Sequence, residues 1–216
     1  MQRTTFQVGT FEVNCSVLYE GDRALVVDPG AEAALVEAKL KELRLEPAAI
    51  LLTHAHFDHI CAVNDIKGRH PGLPVFIGAE DAKIISHPFN QFPPDYPLVE
   101  GIADVMDATG LKGFLASAGW NASVEVIETP GHTPGGVCYL FGAPAPLLMS
   151  GDTLFCGSVG RTDFPGGDMP TLQASLEKLK SLPGETIVVP GHGPETTIAR
   201  ELASNPFLTP NREFRL

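Results

Sequence analysis

Four metal-competent side chains fall within six positions of this chain, in Thr53-His54-Ala55-His56-Phe57-Asp58-His59, directly after the apolar run Ala49 to Leu52. No other feature narrows the choice of fold as much. Three of the seven histidines sit here, and so dense a polar cluster at the end of an apolar strand makes a poor core and a good coordination shell. A strand end delivers His54 and His56 to one side if the backbone stays extended. The turn that follows can bring Asp58 and His59 round to a neighbouring point.

Three more donors occur in the same setting, each at the end of a β-type run: His132 in Thr129-Pro-Gly-His-Thr-Pro-Gly135, Asp152 in Met149-Ser-Gly-Asp-Thr153, and His192 in Val189-Pro-Gly-His-Gly-Pro194. Flanking Gly and Pro let the backbone turn sharply and approach a ligand closely. Singly, each would read as a turn residue. Together with the first cluster they make seven ligands, enough for two metals.

The rest of the chain alternates β-type and helical patterns. Strand-like runs cover Val13 to Leu18, Ala24 to Val27, Ala49 to Leu52, Val75 to Ile77, Val124 to Ile127, Val137 to Phe141, Leu147 to Met149 and Thr186 to Val189, most bounded by Gly, Pro, Asn or Asp. Helical periodicity predicts helices over Ala33 to Leu43, Thr171 to Leu182 and, entered through Pro194, Glu195 to Ala203. Interleaving over the whole length predicts an α/β layered fold, and the early hairpin-like strands argue for mixed rather than purely parallel sheets. Ser86 to Pro97 departs from this regularity. Its Pro88, Pro93, Pro94 and Pro97 exclude a helix or central strand, leaving a surface loop or an aromatic lid carrying Phe89, Phe92 and Tyr96.

With 216 residues, the expectation is a single domain over residues 1–216. A formal charge of −11, with no basic half, argues against nucleic acid as a partner. Cys15, Cys61, Cys138 and Cys156 form no CxxC pair and read as reduced thiols. The start, Met1 to Val8, has no export-type apolar region, and no apolar run approaches the ~20 residues of a membrane helix. The expectation is a cytoplasmic protein with no membrane partner, as a monomer or small homo-oligomer.

In these motifs the chain resembles the metallo-β-lactamase-fold hydrolases, whose signatures stand here in family order as THAHFDH, PGHTPG, SGDTLF and VPGHGP. The Asp28-Pro29-Gly30 turn and the stretch Gly157 to Phe164 resemble the glyoxalase-II-like branch, in particular its short bacterial members. The resemblance implies a four-layer αββα sandwich of two mixed β-sheets, with metals at one edge. It also implies that His54, His56 and His132 hold one metal, that Asp58, His59 and His192 hold a second, and that Asp152 bridges them. An aspartate bridge argues against antibiotic hydrolysis as the native task. An imidazole and carboxylate set with a single bridge accepts Zn, Fe or Mn; the expected cofactors are two divalent ions, Zn first and Fe or Mn as alternatives.

Two such ions roughly 3.5 to 4 Å apart can present a bridging hydroxide without a Ser or Cys nucleophile. The expected reaction is therefore attack of that hydroxide on a small-molecule acyl thioester, such as S-lactoylglutathione, with Asp58 both ligating and orienting the nucleophile. Only 24 residues follow His192, and the tail Asn205 to Leu216 leaves no room for the helical segment that binds glutathione in longer enzymes of that branch. The alternatives are an iron-dependent persulfide dioxygenase, whose last motif typically has Ala-His-Asp rather than Pro190-Gly-His-Gly-Pro194, or a lactonase or esterase on the same fold. Arg161 is the candidate substrate clamp for a carboxylate, or else pairs with Asp163 or Asp168 to hold its loop. Cys156 is expected to pack in the core or site wall, and Cys61 at the buried start of a helix. His70 and His87 lie outside the motifs.

Overall fold

Strict alternation along the strands sorts the apolar side chains into layers. The computed structural model describes residues 1–142 and 145–209. The last part of the predicted tail, residues 210–216, lies outside them. The first half runs β1 (Gln2–Val8), β2 (Val13–Glu20), β3 (Arg23–Val27), α1 (Ala33–Leu43), β4 (Glu46–Leu51), α2 (Phe57–Ile60), α3 (Val63–Arg69), β5 (Val75–Ile77), α4 (Ala79–Ala82) and β6 (Val105–Asp107). The six strands form one sheet in the order β1-β2-β3-β4-β5-β6, antiparallel through β3 and parallel from β3 to β6.

The second half runs α5 (Leu111–Ser117), β7 (Val124–Glu128), β8 (Val137–Phe141), β9 (Leu147–Gly151), the ribbon β10 (Leu154–Phe155) and β11 (Ser158–Val159), α6 (Met169–Lys180), β12 (Ile187–Pro190), β13 (Thr196–Thr197) and α7 (Ile198–Ser204). Its sheet has the order β13-β12-β9-β8-β7, with β12 and β9 parallel and the other pairs antiparallel. Both sheets are mixed, as expected.

Ala24, Val26, Ile50, Val75 and Ile77 face outward from the first sheet and pack with Val36, Leu40, Val63 and Ile66 of α1 and α3. Their neighbours Leu25, Val27, Leu51 and Phe76 turn inward to meet Tyr139, Phe141, Leu147, Met149 and Val189 of the second sheet. On the far face Cys138, Leu148 and Val188 meet Leu172, Leu176 and Leu179 of α6 and Ile198 of α7. Helix, sheet, sheet, helix is the four-layer αββα sandwich. Truncating a fully buried residue of the middle layer, such as Leu51, to Ala would cost about 2–5 kcal/mol.

The boundaries differ from expectation where capping and pairing override periodicity. Helix α6 starts at Met169 because Asp168 Oδ2 accepts the Thr171 N–H at 2.8 Å, and it ends at Lys180, ahead of the Leu182-Pro183 step that disfavours helix. Helix α7 starts at Ile198 rather than Glu195. Thr196 and Thr197 first pair with Val188 and Ile187, and Thr197 Oγ1 then caps the Arg200 N–H. Strands β1 and β6 carry no apolar run that marks them in the sequence: both are edge strands, one of them polar, without a fully buried face. Cys61 closes α2 rather than opening a helix, and α3 begins two residues later.

Candidate metal centre

All four ligand-bearing segments follow directly on strands. His54 to His59 come after β4, His132 lies between β7 and β8, Asp152 follows β9, and His192 follows β12. Strand β4 stops at Leu51, so the extended pair expected at His54 and His56 is a short loop instead, with His56 at the N-cap of the one-turn helix α2. The two rings still lie 4.8 Å apart, nearly perpendicular. Asp58 and His59 sit within the turn of α2 and are buried.

The seven expected ligands converge. Atoms of His54, His56 and His132 lie within 4.8 Å of one another, as do those of Asp58, His59 and His192, and those of His54, His59 and Asp152. Asp152 reaches both sides: its Oδ2 is 3.5 Å from His132 Nε2 and 3.6 Å from His192 Nε2, and its Oδ1 is 3.5 Å from His59 Nε2. His192 Nε2 is also 3.4 Å from Asp58 Oδ2. Gly191 is required beside it, since a Cβ there would stand 2.1 Å from Asp152 Oδ1.

Four of the five imidazoles are oriented by a partner on Nδ1. Thr53 Oγ1 gives its proton to Asp28 Oδ2 at 2.7 Å and so accepts from His54 Nδ1 at 3.1 Å. His59 Nδ1 donates to Asp28 Oδ2 at 3.0 Å, His132 Nδ1 to the Arg161 carbonyl at 2.6 Å, and His192 Nδ1 to the Phe11 carbonyl at 2.8 Å. Each Nε2 is left to face the centre. His54 Nε2, His132 Nε2 and Asp152 Oδ1 are buried without a hydrogen-bond partner. Inward lone pairs with outward N–H donors suit a cation, and outer partners of this kind raise ligand basicity.

The electrostatics agree. Burial, reinforced by the neighbouring imidazoles, pushes His54 well down and His56 to about 3. Burial also opposes charge on His59, but Asp152, Asp28 and Asp58 outweigh it and raise His59 to about 10. Burial works against the Asp58 carboxylate, yet His59 and His192 bring it down to about 2. The carboxylates thus draw positive charge to this point.

Two residues outside the motifs hold the loops. Asp81 Oδ2 accepts the Ala55 N–H at 2.8 Å and Oδ1 the Gly135 N–H at 2.6 Å, tying the His54–His59 loop to the His132 loop. Asn90 Oδ1 accepts the Phe57 N–H at 3.1 Å and its Nδ2 donates to the Ala55 carbonyl. No local pattern marks either residue in the sequence, and the carbonyls of Phe11 and Arg161 act through backbone that any residue supplies.

A cavity of about 630 Å³ opens above the centre, lined by His56, Asp58, His132, Asp152 and His192 together with several phenylalanines. Ser86 to Pro97 supplies one wall through Phe89, Asn90, Gln91 and Phe92; only Pro88–Asn90 forms a short 3-10 turn. The Arg161 guanidinium lies in the lining, paired twice with Asp163 at 2.6 Å and 4.0 Å from the Phe164 ring centroid. His70 instead pairs with Glu37 at 3.1 Å, and His87 contacts the Phe89 ring; neither joins a donor group among the described residues. Cys156 is half-buried on the β10–β11 turn and also stands outside those groups.

A model of the metallo-beta-lactamase superfamily matches residues 8–192. The probable metallo-hydrolase YqgX of Bacillus subtilis is 37% identical over 93% of this chain and 94% of its own length. The hydroxyacylglutathione hydrolase GloC of Haemophilus influenzae is 34% identical over 93% and 95%. Among solved structures, the BLEG-1 B3 metallo-beta-lactamase is 36% identical with a TM-score of 0.83, covering 96% of this chain and 100% of its own. TTHA1623, in a di-iron-bound form, is 38% identical with a TM-score of 0.74, covering 95% and 100%.

Proposed function

This chain belongs to the metallo-beta-lactamase superfamily, and from that premise we propose that it is a cytoplasmic binuclear hydrolase of small acyl thioesters, of the hydroxyacylglutathione hydrolase type. The observation that carries this reading is that Asp152 lies within 3.6 Å of members of both donor trios, beside an open cavity lined by His56, Asp58, His132 and His192. His54, His56 and His132 would hold one divalent ion, Asp58, His59 and His192 the second, with Asp152 between them; Zn is the first choice, and Fe or Mn the alternatives. Ions so bound lower the pKa of water and polarise a carbonyl.

The residues then divide the work. Asp58 orients the attacking water and accepts its hydrogen bond. The outer partners Asp28, Thr53 and the carbonyls of Arg161 and Phe11 keep the imidazoles aimed. Arg161 would take a substrate carboxylate in exchange for Asp163. The likeness to GloC supports the thioester class, and the four free thiols support a reducing compartment. The complete second trio supports a two-ion hydrolase over a one-iron persulfide dioxygenase.

The test is metal content per chain after purification without chelators, beside turnover of S-lactoylglutathione, with nitrocefin as the comparison substrate. Two metals with thioester turnover support the proposal. One iron with oxygen consumption on glutathione persulfide, or turnover of nitrocefin alone, would overturn it.

A further inference from the structure

Half of the chain's twelve phenylalanines line the one cavity above the metal centre: Phe11, Phe57, Phe89, Phe92, Phe155 and Phe164. Four of them, Phe11, Phe89, Phe92 and Phe164, are also among the large apolar residues that the described chain leaves exposed, at 37–44%. Exposed apolar side chains scattered singly need no explanation, but a cluster at the mouth of a site does. The rings are mutually packed: Phe57 and Phe92 stack with centroids 5.0 Å apart, and Phe11 meets each edge-on at 5.6 and 5.7 Å. The mouth is therefore a preformed wall.

Most polar members of that wall already have partners; Ser158, whose hydroxyl reaches only the adjacent Val159 carbonyl at 3.5 Å, is the exception. Asn90 is spent on the Phe57 N–H and on the carbonyls of Ala55 and Ile85. Gln91 is spent on both backbone groups of Val99 and on the Ile85 carbonyl. Arg161 is the one Lys or Arg in the lining, and Asp163 occupies its fork. Beside the candidate metal ligands, only the Ser158 hydroxyl and Arg161, on giving up its exposed pair with Asp163, can read hydrogen-bonding pattern or charge, whereas six aromatic rings read size and apolarity.

We propose that among acyl thioesters this cavity prefers a bulky apolar acyl group, aromatic or medium-chain, on the substrate carbonyl over a short one such as acetyl or lactoyl, which it turns over more slowly. The inference rests on the thioester-hydrolase reading and narrows its substrate class. Phe89 and Phe92, on the Ser86–Pro97 loop, are the specificity-determining residues.

The test uses the metal-loaded protein and thioesters of neutral N-acetylcysteamine, so that thiol charge plays no part. Each buried methylene is worth roughly fourfold. With partial burial, kcat/KM is expected to rise about tenfold or more from acetyl to octanoyl or benzoyl. Phe89→Ala and Phe92→Ala should shrink that ratio several-fold, and Phe92→Leu should keep most of it. Calorimetry with the unreactive S-octyl thioether supplies a readout independent of turnover: wild type binds it, and Phe92→Ala weakens binding about tenfold. If no thioester is hydrolysed but the thioether binds in this way, the hydrolase reading falls and the apolar pocket stands. A flat acyl series without thioether binding overturns the pocket and leaves the hydrolase. A dimer that dissociates on Phe89→Ala or Phe92→Ala would assign the rim to a second copy of the chain and overturn the proposal as well.

Discussion

Asp28 Oδ2 lies 3.0 Å from His59 Nδ1, and the same oxygen takes the Thr53 hydroxyl proton at 2.7 Å. One buried carboxylate therefore aims His59 directly and His54 through Thr53. Asp28→Asn keeps the shape but turns a charged acceptor into an amide. Losing such an outer partner costs about 10- to 100-fold in metal affinity. Competition with a chelator should show that loss, and an unchanged affinity would remove Asp28 from the centre's support.

Asp58→Asn and His132→Ala act on opposite sides of Asp152. Each should abolish thioester turnover, and His132→Ala should also lower the bound metal from two ions per chain towards one. Near-normal rates in either variant would end the two-ion mechanism.

Gly191 and Gly193 flank His192 but differ in what surrounds them. A Cβ on Gly191 would stand 2.1 Å from Asp152 Oδ1 and 2.7 Å from His59 Cε1, whereas a Cβ on Gly193 meets nothing and carries only the strain of φ +75°. Gly191→Ala should lose metal and activity. Gly193→Ala should keep both and cost about 1–2 kcal/mol, read as a melting-temperature drop of roughly 2–8 °C. Equal effects of the two would contradict the packing around Asp152.

Burial pushes the Cys61 thiol up to about 12 and the Cys138 thiol up to about 11, and it raises Cys15 further still. The thiolate is the reactive form, and these three side chains are also shielded. Iodoacetamide at pH 8 should therefore modify one thiol per folded chain, Cys156, and all four after denaturation. Mass spectrometry showing rapid labelling of Cys61 in the folded protein would contradict its burial.

The Arg161 guanidinium and the Asp163 carboxylate are both largely exposed, at 56% and 66% of their side-chain surface, so the pair is soft enough to exchange for a substrate carboxylate. Arg161→Ala should raise KM for an anionic thioester several-fold with little effect on a neutral one. Equal effects on both substrates would leave Arg161 only its loop-holding pair. Its carbonyl, which orients His132, survives the substitution.

The candidate metal donors were legible because metal chemistry demands rare residue types, and those types stand beside turn-forming Gly and Pro. Layering was legible where a strand is buried on both faces, as in β3 and β4, because unbroken apolar runs leave few alternatives. The polar edge strand β1 and the two-residue strand β13 were not, since what holds them is pairing with a neighbour. Nor were the first residues of α6 and α7, where Asp168 and Thr197 act as caps through bonds to N–H groups three residues on.

By itself the sequence determined which seven side chains can bind metal and that each follows a strand, since donor chemistry and backbone turning are local properties. Only the tertiary structure decided that these segments meet at one edge of two facing sheets. Asp81 joins one loop 26 residues before it to another 54 residues after it, and the Phe11 carbonyl reaches across 181 residues to His192. Such partners act through a carboxylate with no motif or through a backbone oxygen, so no local pattern can announce them. The aromatic wall is of the same kind: six phenylalanines scattered from 11 to 164 become one surface only when the chain has folded.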